Sequence, residues 1–345
     1  MNGPIRVLVV DDSAYARKVI RESLESDKDF QVVGVARDGL EALEQIAQLK
    51  PDVVTLDLVM PNLDGLGVLK TLPLGGGAPR VVVVSIADEE SALGIAALQA
   101  GATDVVHKPT AQATAMLYDL GDDLRAKVRA AAIARAASQL PPLAPPPPPR
   151  PLASAASSRR LLLIGASTGG PQAVTRVLRS LPQSFPVPIV IVVHMPPGYT
   201  AAFASRLDEE CALRVVEASE GLVLTPGMAV IGRAGMHLRV EVQPDTLRVH
   251  LDLQPTATPH RPSVDIMFQS AASLGPKALA VVLTGMGDDG TEGARALRAT
   301  GADVLTESES SSVVFGMPRS VQEAGLSTAE GPIQDIAEMI LKYVK

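Results

Sequence analysis

Residues 5–12 read IRVLVVDD, a run of aliphatic and β-branched side chains that ends on two aspartates. So short an apolar run, without polar alternation, suits a strand buried on both faces, and such strands belong to parallel sheets covered by helices. The figure repeats downstream. Strand-like runs at Gln31–Val35, Asp52–Leu56, Val81–Val84 and Asp104–Val106 alternate with helical spacing over Ala14–Ser26, Gly39–Leu49, Gly65–Leu72 and Glu89–Gln99. A long alanine-rich helix is expected over about Gln112–Ala137. Repeated βα units of this kind make a small doubly wound α/β domain.

The polar residues of this first part fall where the strands end. Asp11 and Asp12 follow the first strand, Asp57 the third, Ser85 the fourth and Lys108 the fifth. In an open parallel sheet those carboxyl ends line one crevice, the place where such folds bind ligands. Carboxylates gathered there repel one another unless a cation lies among them, and hard oxygen donors completed by water suit Mg²⁺. Lysine and hydroxyl groups facing the same point can hold the oxygens of a phosphoryl group, with Asp57 as its acceptor. Any one of these aspartates alone reads as a helix N-cap. Their conjunction at successive strand ends is what points to phosphoryl chemistry.

Downstream, residues 138–160 read SQLPPLAPPPPPRPLASAASSRR. Rich in proline and poor in large apolar residues, this stretch cannot bury enough surface to offset its ordering entropy, and it is expected to be an extended linker. Three segments follow: a domain over 1–137, the linker over 138–160 and a second domain over 161–345. The second domain starts in the same style, with strands at Leu161–Ile164 and Ile189–Val193 around a helix from Pro171 to Arg179. Met228–Ile231, His237–Val242 and Thr246–Leu251 read as an antiparallel hairpin insertion among glycine and Pro-Asp turn signals. The βα rhythm returns with helix Ser263–Ser273, strand Ala278–Leu283, helix Thr291–Ala299, strand Asp303–Leu305 and a terminal helix from Pro332.

Composition narrows the function. The chain has 345 residues, 46% of them hydrophobic and 20% charged, with a net charge of −7. Residues 1–137 and 161–345 each carry 14 basic against 19 acidic side chains, so neither has the basic surplus of a phosphate-backbone binder. With no Trp, four Tyr and five Phe there are few stacking platforms for bases, and nucleic acid is not an expected partner. The single cysteine, Cys211, leaves no internal disulfide and fits a reducing cytoplasm. No apolar run is long enough for a membrane span, and no membrane insertion is expected.

Three stretches of the second domain carry candidate chemistry. Its first strand runs into Gly165-Ala166-Ser167-Thr168-Gly169-Gly170-Pro171, which matches G-x-S-x-G, a tight strand-to-helix turn that exposes a nucleophilic serine; an anion-binding glycine loop reads equally well on this motif alone. The second strand ends at His194, where its side chain would share the carboxyl edge with Ser167 and could act as its base. The strand Ala278–Leu283 opens into Thr284-Gly285-Met286-Gly287-Asp288-Asp289-Gly290. That stretch also spells G-x-G-x-x-G, yet two aspartates in the turn oppose a dinucleotide pyrophosphate. They fit better as the carboxylate that orients an imidazole.

Asp11-Asp12, Leu56-Asp57, Met60-Pro61, Asp64-Gly65, Ser85 and Lys108-Pro109 together resemble a response-regulator receiver over about residues 4–125. The second domain resembles the catalytic domain of the chemotaxis receptor methylesterases. It does so through Gly165–Gly170, His194-Met195-Pro196, Pro259-His260-Arg261-Pro262-Ser263-Val264-Asp265, Leu283–Gly290 and Val313-Val314-Phe315-Gly316-Met317-Pro318. The receiver resemblance implies Asp57 as phosphorylation site, Asp12 and Asp57 with a carbonyl near Val59 around Mg²⁺, and Ser85 as the switching hydroxyl; from their places at the strand ends, Asp11 is expected to join the metal site and Lys108 the switch. Val105 stands where many receivers carry a switching aromatic. The methylesterase resemblance implies Ser167 as nucleophile, His194 as base and Asp289, rather than its neighbour Asp288, as the orienting carboxylate, with Thr168, Met286 and His260 at the site. It also implies a cytoplasmic, monomeric, phosphorylation-gated hydrolase of glutamate γ-methyl esters that deamidates receptor glutamines. No cofactor is expected in the ester reaction. The expected partners are the cytoplasmic signalling helices of chemoreceptors and a chemotaxis histidine kinase, and the unphosphorylated first domain is expected to restrain the second.

Overall fold

The computed structural model describes residues 3–73, 78–85, 91–108, 116–134 and 159–345. Residues 138–158 of the expected linker, Pro109, and both ends of the helix expected over Gln112–Ala137 lie outside them. The chain divides into two compact units, residues 1–140 and 141–345.

In the first unit β1 (Ile5–Val10), β2 (Phe30–Ala36), β3 (Val53–Leu56), β4 (Arg80–Ser85) and β5 (Asp104–His107) form a parallel sheet in the order β2-β1-β3-β4-β5. The central strand β3, Val-Val-Thr-Leu, is buried along its whole length, as a strand covered on both faces must be. The helices are α1 (Ala14–Glu25), α2 (Gly39–Leu49), α3 (Gly65–Thr71), α4 (Ser91–Gln99) and α5 (Met116–Ile133). Ser13, Asp38 and Asp64 start α1, α2 and α3 by accepting the N–H groups of Ala16, Glu41 and Gly67. Because the chain reverses its strand order beside β1, the carboxyl ends of β1 and β3 open into the crevice that holds Asp11, Asp12 and Asp57.

The second unit is built on a seven-stranded parallel sheet. Its strands are β6 (Leu161–Ala166), β7 (Ile189–Val193), β8 (Arg214–Glu217), β9 (Met228–Ile231), β12 (Ala278–Val282), β13 (Asp303–Glu307) and β14 (Ala329–Gly331), in the order β14-β13-β12-β6-β7-β9-β8. A separate antiparallel pair, β10 (His237–Val242) and β11 (Leu247–Asp252), supplies the expected hairpin. Around them lie α6 (Gly170–Arg179), α7 (Tyr199–Glu210), α8 (Val264–Ala271), α9 (Thr291–Ala299), α10 (Met317–Glu323) and α11 (Ile333–Val344). The chain leaves β6 toward β7 and returns on the other side to β12. The topological switch point therefore lies between β6 and β12.

One element differs from its sequence reading. Met228–Ile231 belongs to the large parallel sheet, pairing with β7 and β8, and not to the hairpin. Its four residues, Met-Ala-Val-Ile, are all buried, so nothing in them alternates; the hairpin begins only at His237. The structure also contains β8, β14, α7 and α10, which sequence spacing did not mark out.

Candidate active site

The first crevice gathers three carboxylates and one ammonium. Oxygens of Asp11, Asp12 and Asp57 lie within 4.8 Å of one another. Lys108 Nζ sits 2.8 Å from Asp57 Oδ2 and 2.9 Å from Asp11 Oδ2. Burial raises the Asp11 carboxyl above its ordinary range, against the opposing pull of Lys108 and with a further push from the charge of Asp12. Burial alone would lower the Lys108 ammonium, but its hydrogen bonds to Asp57 and Asp11 hold it above its ordinary value. A single ammonium leaves excess negative charge among oxygen-only donors, and that donor set suits Mg²⁺. Ser85, fully buried, closes β4, and its carbonyl accepts the Lys108 N–H at 2.7 Å. Val105 is buried, and its carbonyl accepts a hydrogen bond from Lys127 Nζ at 2.7 Å.

At the switch point of the second unit, three strand ends meet. Ala166 of β6 pairs with Val193 of β7, and Gly165 pairs with Val282 of β12. Ser167, His194 and the Leu283–Thr284 segment are therefore neighbours along one edge. The main chain locks them together: the His194 N–H donates to Ala166 O at 3.1 Å and the Ser167 N–H to Thr284 O at 3.0 Å. Past Ser167 the chain turns sharply, with Gly169 at φ +77° and the Gly170 N–H donating back to Ser167 O. Pro171 then enters α6 in its first turn. Gly285 passes so close to the nucleophile loop that a Cβ there would lie 2.8 Å from Ser167 Cβ. Only a residue without a side chain lets the segment after β12 pass so close to Ser167.

His194 is the most constrained side chain at this edge. Its Nε2–H donates to Asp289 Oδ2 at 2.8 Å. That pairing assigns the proton to Nε2 and leaves Nδ1 as the basic nitrogen; Nδ1 is buried and has no hydrogen-bond partner among the described residues. One face of the ring stacks on His260, with centroids 4.0 Å apart. Ser167 and His194 occupy adjacent register positions, but no hydrogen bond joins Ser167 Oγ to the ring among the described residues. Thr168 is buried and its carbonyl accepts from Thr284 Oγ1, while Met286 is 37% exposed.

Asp289 accepts three further hydrogen bonds, from Ser263 Oγ, the Val264 N–H and the Asp265 N–H, at 2.8–2.9 Å. Burial would raise this carboxyl, but the hydrogen bond and charge of His194 and the amides at the start of α8 hold it well below the ordinary carboxylate range. Asp288, exposed to solvent, makes no such contacts among the described residues. Ser263 and Asp265 went unmarked as site residues in the sequence, although they sit in the Pro259–Asp265 motif. Glu307, at the end of β13, is tied to the same edge. It is 1% exposed, it accepts the Thr284 N–H at 2.8 Å, and burial pushes its carboxyl up to about 7.

Comparison with known proteins matches both units. The sequence profile of the CheB methylesterase family covers residues 162–340, and that of the response regulator receiver domain covers residues 7–117. Protein-glutamate methylesterase/protein-glutamine glutaminase 5 of Myxococcus xanthus is 56% identical over 99% of both chains. A protein of the same designation from Thermotoga maritima is 39% identical over 99% of this chain and 98% of its own. The crystal structure of the Thermotoga maritima CheB methylesterase catalytic domain superposes on 54% of this chain and all of its own, with a TM-score of 0.53 at 40% identity. A receiver followed by a domain of this fold, with relatives matched along nearly the whole length, places the chain in the CheB family of protein-glutamate methylesterases/protein-glutamine glutaminases.

Proposed function

We propose that the protein hydrolyses glutamate γ-methyl esters, and deamidates glutamines, on the cytoplasmic signalling helices of chemoreceptors. Phosphorylation of Asp57 governs the rate. The observation that carries the chemistry is the Asp289–His194 pair, which leaves a basic nitrogen buried at the edge where Ser167 emerges.

Ser167 Oγ attacks the ester carbonyl as its proton passes to His194 Nδ1. The tetrahedral intermediate collapses, the methoxy group takes that proton, and methanol leaves an acyl ester on Ser167. Water then attacks the acyl carbon, its proton again taken by Nδ1, and the glutamate departs as Ser167 Oγ is reprotonated. A glutamine follows the same path with ammonia as leaving group. Asp289 supplies the negative partner for the imidazolium in both halves. The Met286 N–H, with that of Thr168, supports the oxyanion, at about 3 kcal/mol per donor.

In the first unit Asp57 accepts a phosphoryl group from a histidine kinase, forming an acyl phosphate. Asp11, Asp12 and Asp57 are the residues that would hold Mg²⁺, which offsets phosphoryl charge when bound. Lys108 and the Ser85 hydroxyl would hold the remaining oxygens of that phosphoryl group. The protein works in the cytoplasm; no helix among the described residues is long and apolar enough to cross a membrane. The test is methanol release from methylated receptor fragments by the wild-type chain, Ser167→Ala and Asp57→Asn, with and without acetyl phosphate. Ser167→Ala should abolish release, and Asp57→Asn should keep the basal rate while losing the phosphate response. Full release by Ser167→Ala would refute the assignment.

A further inference from the structure

Two helices of the second unit begin beside the candidate site, and each is capped by an aspartate carried on the other. Asp289 lies in the loop that leads into α9, yet its carboxylate accepts the first amides of α8, those of Val264 and Asp265. Asp265 lies in the first turn of α8, yet its Oδ1 accepts the amides of Gly290 and Gly293 at the start of α9, at 2.9 and 2.7 Å. Gly290, the residue that opens α9, has no side chain to provide a cap of its own. The exchange fixes Asp289 from two directions. Its oxygens are held by α8, and the peptide that follows it is held by Asp265.

We propose that Asp265 is the positioning residue for Asp289. By holding the Gly290 and Gly293 amides it fixes the turn whose carboxylate aligns the His194 ring, and so it sets the rate of proton transfer without touching substrate. This rests on the reading of Ser167, His194 and Asp289 as the catalytic groups. Helix N-termini favour negative charge, which allows two carboxylates so close together. The tension between them is still visible. Burial raises the Asp265 carboxyl to about 6, opposed by the Gly293 amide and reinforced by the charges of Asp289 and of Glu292 on α9.

A misalignment of about 1 Å at a catalytic group can cost about 100-fold in rate. The test uses the full chain and methanol release from a methylated receptor fragment, with rates expressed per active site titrated by a fluorophosphonate ester. Titration removes any contribution from a smaller folded fraction. Asp265→Ala, which deletes the acceptor, should lower kcat by about 100-fold and leave KM within about threefold. Wild-type kcat per titrated site would overturn the proposal.

Asp265→Asn keeps an oxygen acceptor and removes the charge, so kcat should stay within about fivefold. Should Asp265→Ala fail to fold, a fall in kcat of about 100-fold in Asp265→Asn, which keeps the acceptor, overturns the proposal. Parallel Ser167→Ala and His194→Gln variants separate the two readings. If they remain active, the site assignment fails; if they are inactive while Asp265→Ala turns over normally, only the positioning role fails.

Discussion

Replacing Asp289 by asparagine removes one charge and turns one acceptor oxygen into a donor. The wild-type carboxylate offers Oδ2 to His194 Nε2 and the Val264 N–H, and Oδ1 to Ser263 Oγ and the Asp265 N–H. An asparagine nitrogen at the Oδ2 position faces the Val264 amide and drives the proton of His194 onto Nδ1, which destroys the base. At the Oδ1 position it faces the Asp265 amide, but Ser263 can rotate to accept from it and the His194 tautomer survives. The second placement is favoured, because it leaves one amide unsatisfied at a cost of about 1–3 kcal/mol and spares the imidazole.

What is lost in either placement is the charge beside the imidazolium that forms in the transition state. At about 4 Å between charge centres and an effective dielectric constant of about 20, that pair contributes about 4 kcal/mol. Asp289→Asn should therefore lower kcat by about 10³-fold with little change in KM. The assay is methanol release per titrated active site, with Asp288→Asn alongside as an exposed neighbour that should stay within about threefold of wild type. An Asp289→Asn enzyme within tenfold of wild type, or an Asp288→Asn enzyme equally impaired, would refute the reasoning.

Three other outcomes follow from the geometry. Gly285→Ala places a Cβ 2.8 Å from Ser167 Cβ and 3.0 Å from its backbone nitrogen, so kcat should fall by about 100-fold, read as a rate per titrated site. Glu307 has its carboxyl raised from 4.5 to about 7 in the folded state, so the stability it permits is fully present below about 4.5 and is lost as pH rises through about 7. Glu307→Gln, uncharged throughout, should gain about 3 kcal/mol relative to wild type between pH 4 and pH 8 in urea titrations, and a constant difference would show that Glu307 ionises normally. Chelation by EDTA should abolish stimulation by acetyl phosphate while leaving basal methanol release unchanged; a fall in the basal rate would place a metal in the ester reaction.

Both sheets are legible where the strands are buried on both faces. The run IVIVV has no polar residue and IRVLVV only Arg6, so neither alternates, and their observed limits are those the sequence suggests. Met228–Ile231 was misplaced for a related reason. Four buried residues between turn signals carry no record of which sheet they join, and only the return of the chain beside β7 decides it. Helix α7 is hard to see in the sequence because its buried face, Tyr199, Thr200, Phe203, Ala204 and Leu207, mixes small and polar residues with three large ones and starts directly after Pro-Pro-Gly.

Several of the candidate site residues stand out because each follows a strand. Asp11, Asp57, Ser167 and His194 all mark a change from apolar run to polar turn. Asp265 has no such mark, and Glu307, although it ends β13, gives no sign of the amide it accepts. Asp265 looks like an ordinary first-turn acid of its own helix and Glu307 like a strand-end glutamate. What distinguishes them is the amide each accepts from a distant segment, which only the folded chain brings near.

The most direct measurement of the central claim is mass spectrometry after acid quench of the enzyme during turnover of a methylated receptor fragment. The tryptic peptide over residues 161–176 should carry the substrate as an ester on Ser167 and lose that adduct in Ser167→Ala. Turnover at the wild-type rate with no adduct on Ser167, or with the acyl group on another residue, would contradict it.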